Sequence, residues 1–209
     1  MPASIRESPT LWIVAGANGS GKSTAYERLA IEEASGSVWI INPDLLTARI
    51  RDQEGLDQVA ANLASVKRIE KWLYASVATH QTVGVETVLS TGKYRKLVRT
   101  AKRRGFRIKL IYLVLASAAL NVQRVRARVA RGGHDVPEAK IIARRESSLS
   151  QLPWFMAQAD YALILDNSGS TPIDVATWRP GAVEIRDSAI PDVRLAVDAA
   201  IDLFRRRRF

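Results

Sequence analysis

The stretch that decides the fold is Leu11-Trp12-Ile13-Val14-Ala15-Gly16-Ala17-Asn18-Gly19-Ser20-Gly21-Lys22-Ser23-Thr24. It is an apolar run followed at once by the full G-x-x-x-x-G-K-[ST] pattern of a Walker A phosphate-binding loop. The β-branched residues before the loop predict a buried strand, and residues 24–33 predict a helix. The helix N-terminus would then lie under the phosphates. The stretch therefore predicts a protein that binds a nucleoside triphosphate.

Residue types within this loop predict individual roles. Its glycines let successive backbone N–H groups point at phosphate oxygens. Lys22 is expected to reach the β- and γ-phosphates, and Ser23 to offer its hydroxyl to Mg²⁺ as the candidate metal ligand. ATP and Mg²⁺ are the expected cofactors. The candidate ATP-binding residues are Gly16, Asn18, Gly19, Ser20, Gly21, Lys22, Ser23 and Thr24.

The composition limits the class of protein. A chain of 209 residues that is 47% hydrophobic suits one globular domain over residues 1–209. It contains no cysteine and two histidines, which excludes disulfides, thiolate metal sites and a zinc site built from histidines alone. No signal peptide or membrane-spanning apolar run is visible, so we expect a cytoplasmic protein without a membrane partner. The net charge of +10 suits an anionic partner such as a nucleotide, a sugar nucleotide or a nucleic acid, without choosing among them.

Strand and helix patterns alternate along the chain. Strands are predicted at residues 11–15, 38–41, 82–88, 107–115 and 161–166, with helices between them and an amphipathic helix near the C-terminus. Residues 178–186 predict a small hairpin or an irregular pair of strands. This alternation of strands and helices predicts an α/β protein with the P-loop NTPase or kinase fold, in which a five-stranded parallel sheet has helices on both faces.

Two carboxylates are predicted at the ends of strands. Asp44 follows Asn42-Pro43, which predicts a helix start after the second strand, and Glu86 ends the third. Ligands of open parallel sheets bind outside the carboxyl ends of the strands. Asp44 is therefore the candidate catalytic base for a substrate hydroxyl, and Glu86 is a candidate substrate-binding residue.

Residues 121–148 carry the highest density of arginine. Arg124, Arg128 and Arg131 fall on one helical stripe, Gly132-Gly133 ends that helix, and Pro137 starts another. Such an arginine-rich helical excursion between strands is typical of a lid over a triphosphate.

Several of these motifs together resemble the zeta-toxin family of small kinases. They are the phosphate loop, Asn42-Pro43-Asp44, Glu86-Thr87-Val88-Leu89-Ser90, and Gly132-Gly133-His134-Asp135-Val136-Pro137 with the later Arg144-Arg145. The resemblance runs from about Leu11 to Ser168. It implies a five-stranded phosphate-loop kinase core and ATP-dependent phosphorylation of the 3'-hydroxyl of the amino sugar of UDP-N-acetylglucosamine. It also makes an antitoxin protein a candidate partner.

The resemblance also implies roles for single residues. Asp44 matches the family's catalytic aspartate, Glu86 its substrate-binding glutamate, and Lys22 its loop lysine. Arg131 and Arg144 are the best matches to the two phosphate-stabilising arginines, with Arg128 and Arg145 as near alternatives. Larger members carry a threonine where Val88 stands, so Thr87 or Ser90 would supply that hydroxyl.

The sequence thus predicts a kinase that transfers the γ-phosphoryl group of Mg-ATP to a small-molecule hydroxyl, with a sugar nucleotide as the favoured acceptor. An ATPase or nucleotide-dependent switch is one alternative, although no Asp follows the apolar run 108–115 as a Walker B strand would need. A polynucleotide kinase or nucleic-acid-binding protein is the other alternative, and the net charge of +10 and the arginine-rich segments favour it.

Overall fold

The computed structural model describes residues 8–28, 32–33 and 36–206. The strands in these ranges are β1 Thr10–Ala15, β2 Glu32–Glu33, β3 Gly36–Ser37, β4 Ile40–Ile41, β5 Val83–Thr87, β6 Arg107–Val114, β7 Tyr161–Asp166, β8 Ile173–Arg179 and β9 Ala182–Ile185. The helices are α1 Lys22–Arg28, α2 Pro43–Glu54, α3 Gln58–Ala78, α4 Arg95–Arg103, α5 Ala118–Val129, α6 Glu138–Gln158 and α7 Pro191–Arg205.

The main sheet confirms the predicted α/β fold and extends it. Among the described residues the strand order is β4-β5-β1-β6-β7-β8-β9, and the first five strands are parallel. The sheet therefore has seven strands instead of the expected five, because β8 pairs antiparallel with β7, and β9 pairs antiparallel with β8. The predicted hairpin exists, but its first strand begins at Ile173 and buries Val175, Ala176 and Trp178 against the core.

Some predicted boundaries differ from those observed. The helix after the loop begins at Lys22, and residues 32–33 lie in the short strand β2, while residues 29–31 of the predicted helix lie outside the described residues. The second strand spans only Ile40–Ile41. The Trp39 side chain before it is 77% exposed, although the Trp39 carbonyl oxygen still accepts a hydrogen bond from the Gly84 N–H at 3.0 Å. The lid's second helix, α6, continues past residue 148 to Gln158, since Leu152, Phe155 and Met156 bury its C-terminal half in the core.

Side-chain alternation in β1 divides the core into two layers. Leu11, Ile13 and Ala15 face a large cluster with helices α3, α4, α6 and α7. Trp12 and Val14 face a smaller cluster that includes Ala25 of α1. Helices therefore cover both faces of the sheet, as the period of two along buried strands requires.

The loops after the parallel strands gather at the carboxyl edge of the sheet, around the phosphate loop. A Cβ on Gly16 would lie 2.3 Å from the Leu113 carbonyl oxygen of β6, and one on Gly19 would lie 2.6 Å from the Asn121 carbonyl oxygen of α5. Both glycines have positive φ, 145° and 78°. The loop thus runs against the backbone of its neighbours, which leaves no room for a side chain at either position.

Replacing Gly16 by alanine tests how closely the loop approaches β6, and the same change at Gly55 is the control. Gly55 ends α2 with φ of 66°, and a Cβ there would meet nothing within 4 Å. We expect Gly55→Ala to lower the free energy of unfolding by about 1 kcal/mol through backbone strain alone. Gly16→Ala adds the collision with β6 and should cost about 2–4 kcal/mol. Urea denaturation of the two variants checks this, and equal costs would contradict the close approach.

Candidate active site

Lys22 is the buried cation of the phosphate loop. Its Nζ donates hydrogen bonds to the Gly16 carbonyl oxygen at 2.9 Å and to the Ala17 carbonyl oxygen at 3.1 Å. Burial lowers the pKa of Lys22, and the negative charges of Glu86 and Asp44 oppose that shift. The ammonium group is therefore held inside the loop, where an anionic ligand would relieve the cost of its burial.

Glu86 connects the loop with the turn that follows β4. Its Oε2 accepts hydrogen bonds from Ser23 Oγ and from Asn42 Nδ2, both at 2.9 Å, and its Oε1 lies 4.0 Å from Lys22 Nζ. Burial raises the pKa of Glu86, and the charge of Lys22 is the largest opposing effect. The sequence predicted Glu86 at the carboxyl edge, and the structure places it directly against the predicted metal ligand Ser23.

Asn42 serves two functions through its two amide atoms. Its Oδ1 accepts hydrogen bonds from the backbone N–H groups of Asp44 and Leu45, which caps α2 at the helix start that the sequence predicted. Its Nδ2 donates to Ser23 Oγ at 3.2 Å as well as to Glu86. One side chain thus fixes the start of α2 relative to the phosphate loop.

Asp44 occupies the first turn of α2 with its side chain exposed. Its charge raises the pKa of both Lys22 and Glu86, so it acts on the same buried pair. An exposed carboxylate next to a buried phosphate-binding group is free to meet the hydroxyl of a second substrate.

The pair of Ser23 and Glu86 has the oxygen chemistry that Mg²⁺ prefers. P-loop sites hold Mg²⁺ through one or two protein oxygens together with the nucleotide phosphates, so a cluster of three acidic or histidine side chains is not required. Within residues 8–28, 32–33 and 36–206 there is no such cluster. Glu86, the acid that contacts Ser23, lies on β5, on the opposite side of β1 from β6, and is in register with Val14.

Two asparagines that the sequence analysis missed support the loop from the other side. Asn121 is fully buried and its Nδ2 donates to the Asn18 carbonyl oxygen at 2.7 Å. Asn167 follows β7, and its Nδ2 donates to the Ser20 carbonyl oxygen at 2.8 Å. A single amide side chain belongs to no motif, so only the fold shows that these residues meet the loop.

The structure brings Arg128 and Arg144 toward the phosphate loop. Arg144 donates to Asn18 Oδ1 at 3.3 Å, and the charges of both arginines lower the pKa of Lys22. Arg128 donates to the His134 carbonyl oxygen at 2.8 Å, and a Cβ on Gly133 would lie 2.5 Å from Arg128 Cγ. The Gly-Gly-His turn thus folds back on Arg128, which explains why glycine is required beside it.

The other two candidate arginines have partners of their own. Arg131 is exposed and its Nε donates to the Ala127 carbonyl oxygen within its own helix end. Arg145 donates to the Leu115 carbonyl oxygen at 3.2 Å and pairs with Asp192 of α7 at 2.8 Å. The structure does not bring Arg131 to the loop, and it ties Arg145 to α7.

The remaining predicted residues lie around the same edge. Thr87 is buried, and its Oγ1 accepts a hydrogen bond from the Leu89 N–H at 3.1 Å, where Leu89 has a φ of 60°. Its hydroxyl therefore stabilises a strained turn. Ser90 is half-buried just beyond that turn, and Thr24 is exposed on α1.

Comparison with known proteins agrees with this geometry. A family model described as an AAA domain matches residues 11–148, more than half of the chain. The chain belongs to this AAA domain family. The matched part holds the loop, both carboxylates and residues 121–148 of the predicted lid, and its fold is that of P-loop kinases. An uncharacterized protein of Haemophilus influenzae is 27% identical over 125 residues, which are 59% of this chain and 83% of that protein.

Two solved complexes share the fold of this AAA domain. The complex of AvrRxo1-ORF1 and ORF2 with ATP matches with a TM-score of 0.64 at 14% identity, over 92% of this chain and 64% of that one. This chain therefore spans less than two thirds of that protein. The PezAT chromosomal toxin-antitoxin system of Streptococcus pneumoniae matches with a TM-score of 0.62 at 15% identity, over 94% and 87% of the two chains. In the described parts of this AAA domain, no helix has the length and apolarity to cross a membrane.

The burial of Glu86 predicts a pH dependence of stability. Its pKa is raised above 4.5, so the folded protein retains on Glu86 a proton that the unfolded chain releases as the pH rises. The stability that this proton provides is lost as the pH rises through the raised pKa. We therefore expect the free energy of unfolding of the wild type, relative to Glu86→Gln, to fall from pH 4.5 toward neutral pH.

Glu54 provides the matched control for this measurement. A hydrogen bond from Arg68 lowers its pKa, so the wild type should gain stability relative to Glu54→Gln as the pH rises. Urea denaturation at a series of pH values gives both differences. A Glu86 difference that rises with pH would contradict the burial of this carboxyl.

Proposed function

We propose that this protein is a phosphotransferase of zeta-toxin type that transfers the γ-phosphoryl group of Mg-ATP to a hydroxyl of a small-molecule acceptor. The observation that carries the proposal is the hydrogen-bonded group of Ser23, Glu86 and Asn42, which joins the phosphate loop to the turn bearing Asp44. Nucleotide-binding and acceptor-facing groups are thereby held in one rigid unit, as in-line phosphoryl transfer requires.

In this proposal the loop and Lys22 hold the triphosphate. Lys22 exchanges its hydrogen bonds with the loop carbonyl oxygens for bonds to phosphate oxygens. Ser23 and Glu86 would hold Mg²⁺ or its waters, and the ion supplies charge neutralisation of the β- and γ-phosphates. A bound cation would favour the carboxylate form of Glu86 and so would oppose the rise in pKa that burial causes.

Asp44 orients the acceptor hydroxyl and accepts its proton. The hydroxyl oxygen then bonds to the γ-phosphorus while the bond to the β–γ bridging oxygen breaks, so that ADP leaves with that oxygen. Exposure of Asp44 next to the buried pair supports this role, since the acceptor must approach from solvent.

Arg128 and Arg144 are the arginines that we assign to the charge on the transferring group. The positive charges of both arginines add to the effect of burial in lowering the pKa of Lys22, and Arg144 donates a hydrogen bond to Asn18 of the loop. Arg131, the closest match by the family pattern, lies on the exposed side of the same helix end. Arg145 instead anchors α6 to α7, which fixes the position of its neighbour Arg144.

A sugar nucleotide, and UDP-N-acetylglucosamine first, is the acceptor that the zeta-toxin resemblance favours. Ser90 is the better candidate for the missing substrate hydroxyl, since Thr87 is engaged by the Leu89 N–H. An antitoxin partner belongs to the same proposal, supported by the PezAT likeness in fold. The net charge of +10 keeps a polynucleotide acceptor as the second candidate.

Replacing Asp44 tests the proposal. We expect Asp44→Asn to lower kcat for phosphoryl transfer by about 10²–10⁴-fold, the usual contribution of a general base. ATP affinity should stay within about threefold, because Asp44 does not touch the nucleotide. The measurement is transfer of label from γ-labelled ATP to sugar nucleotides, nucleosides and short oligonucleotides.

Asp52→Asn is the matched control, since Asp52 lies exposed on the same helix and pairs with Arg51. It should leave transfer unchanged. Transfer that survives in Asp44→Asn would overturn the assignment, and label found only as free phosphate in the wild type would indicate an ATPase or a switch.

The lid arginines give a second test. Arg128→Ala should lower kcat by about 10³-fold, because an arginine that stabilises the transferring phosphoryl group contributes at least that much. Arg131→Ala removes a charge three residues away and should change kcat by less than about threefold. Single-turnover transfer from labelled ATP separates the two, and the reverse order would assign the role to Arg131.

A further inference from the structure

The positive charge of the chain is concentrated in one segment. Between Glu86 and Asp135 there is no acidic residue, whereas thirteen lysines and arginines lie there. Outside this segment, acidic residues outnumber lysines and arginines. Four of the thirteen are the arginines of residues 124–131 in the predicted lid. Most of the others belong to α4 and its flanking residues, and the nucleotide and acceptor roles leave them without a function.

Helix α4 presents these cations to solvent. We define the α4 basic face as the cationic residues of this helix and of its C-cap, namely Arg95, Lys96, Arg99, Lys102, Arg103 and Arg104. Arg95 is half-buried and the other five are exposed. The apolar residues Leu97, Val98 and Ala101 are buried in the core. A membrane surface is therefore a poor partner, because helices that bind membranes insert apolar side chains into the bilayer.

The α4 basic face is held in place between two neighbouring helices. Lys102 Nζ donates a hydrogen bond to the Gln158 carbonyl oxygen of α6 at 2.6 Å, and Arg104 donates to the Ala78 carbonyl oxygen of α3 at 3.0 Å. Within the described ranges, no ion pair joins this face to a carboxylate. The face is thus a fixed strip of positive charge that the protein does not neutralise.

Trp154 of α6 orders two of the arginines. Arg95 Cζ lies 4.9 Å and Arg99 Cζ lies 5.5 Å from the centre of the Trp154 ring. Arg95 also donates to Gln151 Oε1 at 2.8 Å. Arg99 is exposed, and its side chain donates no hydrogen bond to any other residue that the structure describes. A guanidinium group held in this way has N–H groups available for a phosphate and a planar surface available for a base.

We infer that the α4 basic face binds single-stranded nucleic acid, with phosphates on its lysines and arginines and a base stacked on Arg99. Arginine that is already stacked on an aromatic ring favours a nucleic acid over an acidic peptide, because bases offer further stacking and carboxylates do not. A single strand suits a strip between two helices, since a helix that reads a duplex must enter its major groove.

The dimensions of the strip suit a short stretch of such a strand. Helix α4 has nine residues and is therefore about 13 Å long. At about 3.4 Å per nucleotide along one strand, this length spans about four phosphates. The inference does not depend on the proposed phosphoryl transfer, because no residue of this face belongs to the phosphate loop, the two carboxylates or the lid.

Single charge removals on and off the face test the inference. Binding of a short labelled single-stranded oligonucleotide is measured by fluorescence anisotropy at a series of salt concentrations. Lys96→Gln removes one charge from the face, and Lys140→Gln removes one charge from an exposed position at the start of α6. Arg99→Lys keeps the charge and removes the planar group. Linear polyphosphate serves as a polyanion without bases, and the wild type is also measured with saturating ATP.

We expect Lys96→Gln to weaken binding about fivefold at about 0.1 M salt and to reduce the slope of log K against log salt by about 0.7, the contribution of one phosphate contact. Lys140→Gln should change neither. Arg99→Lys should keep the slope and weaken binding by at least about fivefold, because it loses the stacking. ATP should not compete, and all three variants should keep wild-type phosphoryl transfer.

Four results would overturn the inference. Equal losses in Lys96→Gln and Lys140→Gln would mean that net charge alone attracts the strand. Equal binding of polyphosphate would mean that the bases take no part. Competition by ATP would place the strand in the active site and favour a polynucleotide acceptor. No binding by the wild type at about 0.1 M salt would leave the kinase proposal untouched and remove this one.

Discussion

The structure depends on a buried ion pair at the ends of two adjacent parallel strands. Register places Val14 of β1 opposite Glu86 of β5, so the loop after β1 meets the carboxylate of β5. Lys22 and Glu86 are both buried there, and burial works against both charges. Ser23 and Asn42 satisfy the carboxylate, and the loop carbonyl oxygens satisfy the ammonium group. Keeping Lys22 and Glu86 charged in this buried position costs free energy, and a bound nucleotide with its metal ion would offset that cost.

The arginines of residues 121–148 have two kinds of contact: some hold the helices in place, and others lie near the phosphate loop. Arg124 donates to the carbonyl oxygens of Ser168 and Gly169, and Arg145 pairs with Asp192, so these two fix α5 and α6 to the sheet and to α7. Arg128 and Arg144 then project toward the loop from helices that are already fixed. Side chains on fixed helices lose less conformational entropy when they bind a ligand than side chains on a mobile loop. Phosphoryl transfer needs such precise positioning.

The sequence predicted those features that local patterns determine. The strand, loop and helix around Lys22 follow from one motif, and the five parallel strands follow from apolar runs between helices. Pairing between distant segments could not be predicted in this way. Nothing local indicates that β8 joins β7, and this pairing together with that of β9 gives the described part of the chain a seven-stranded sheet.

In the candidate site, too, local sequence patterns predicted some residues, and contacts between distant segments could not be predicted. The sequence placed Asp44 and Glu86 at the carboxyl edge of the sheet, because ligands of parallel sheets bind outside the ends of the strands, and their roles stay predictions. It did not identify Asn121 or Asn167, whose amides reach the loop from more than 100 residues away along the chain. Helical spacing put Arg128 and Arg131 on one stripe. In the structure Arg128 contacts the turn at Gly133 and His134, whereas Arg131 bonds to the Ala127 carbonyl oxygen of its own helix.

Binding of ATP in the presence and absence of Mg²⁺, by the wild type and by Glu86→Gln, tests the central claim most directly. The account predicts that Mg²⁺ strengthens ATP binding by the wild type, and that Glu86→Gln loses this gain while still binding ATP through Lys22 and the loop. The same gain from Mg²⁺ in Glu86→Gln would contradict the account, because Glu86 would then have no part in holding the metal ion beside Ser23.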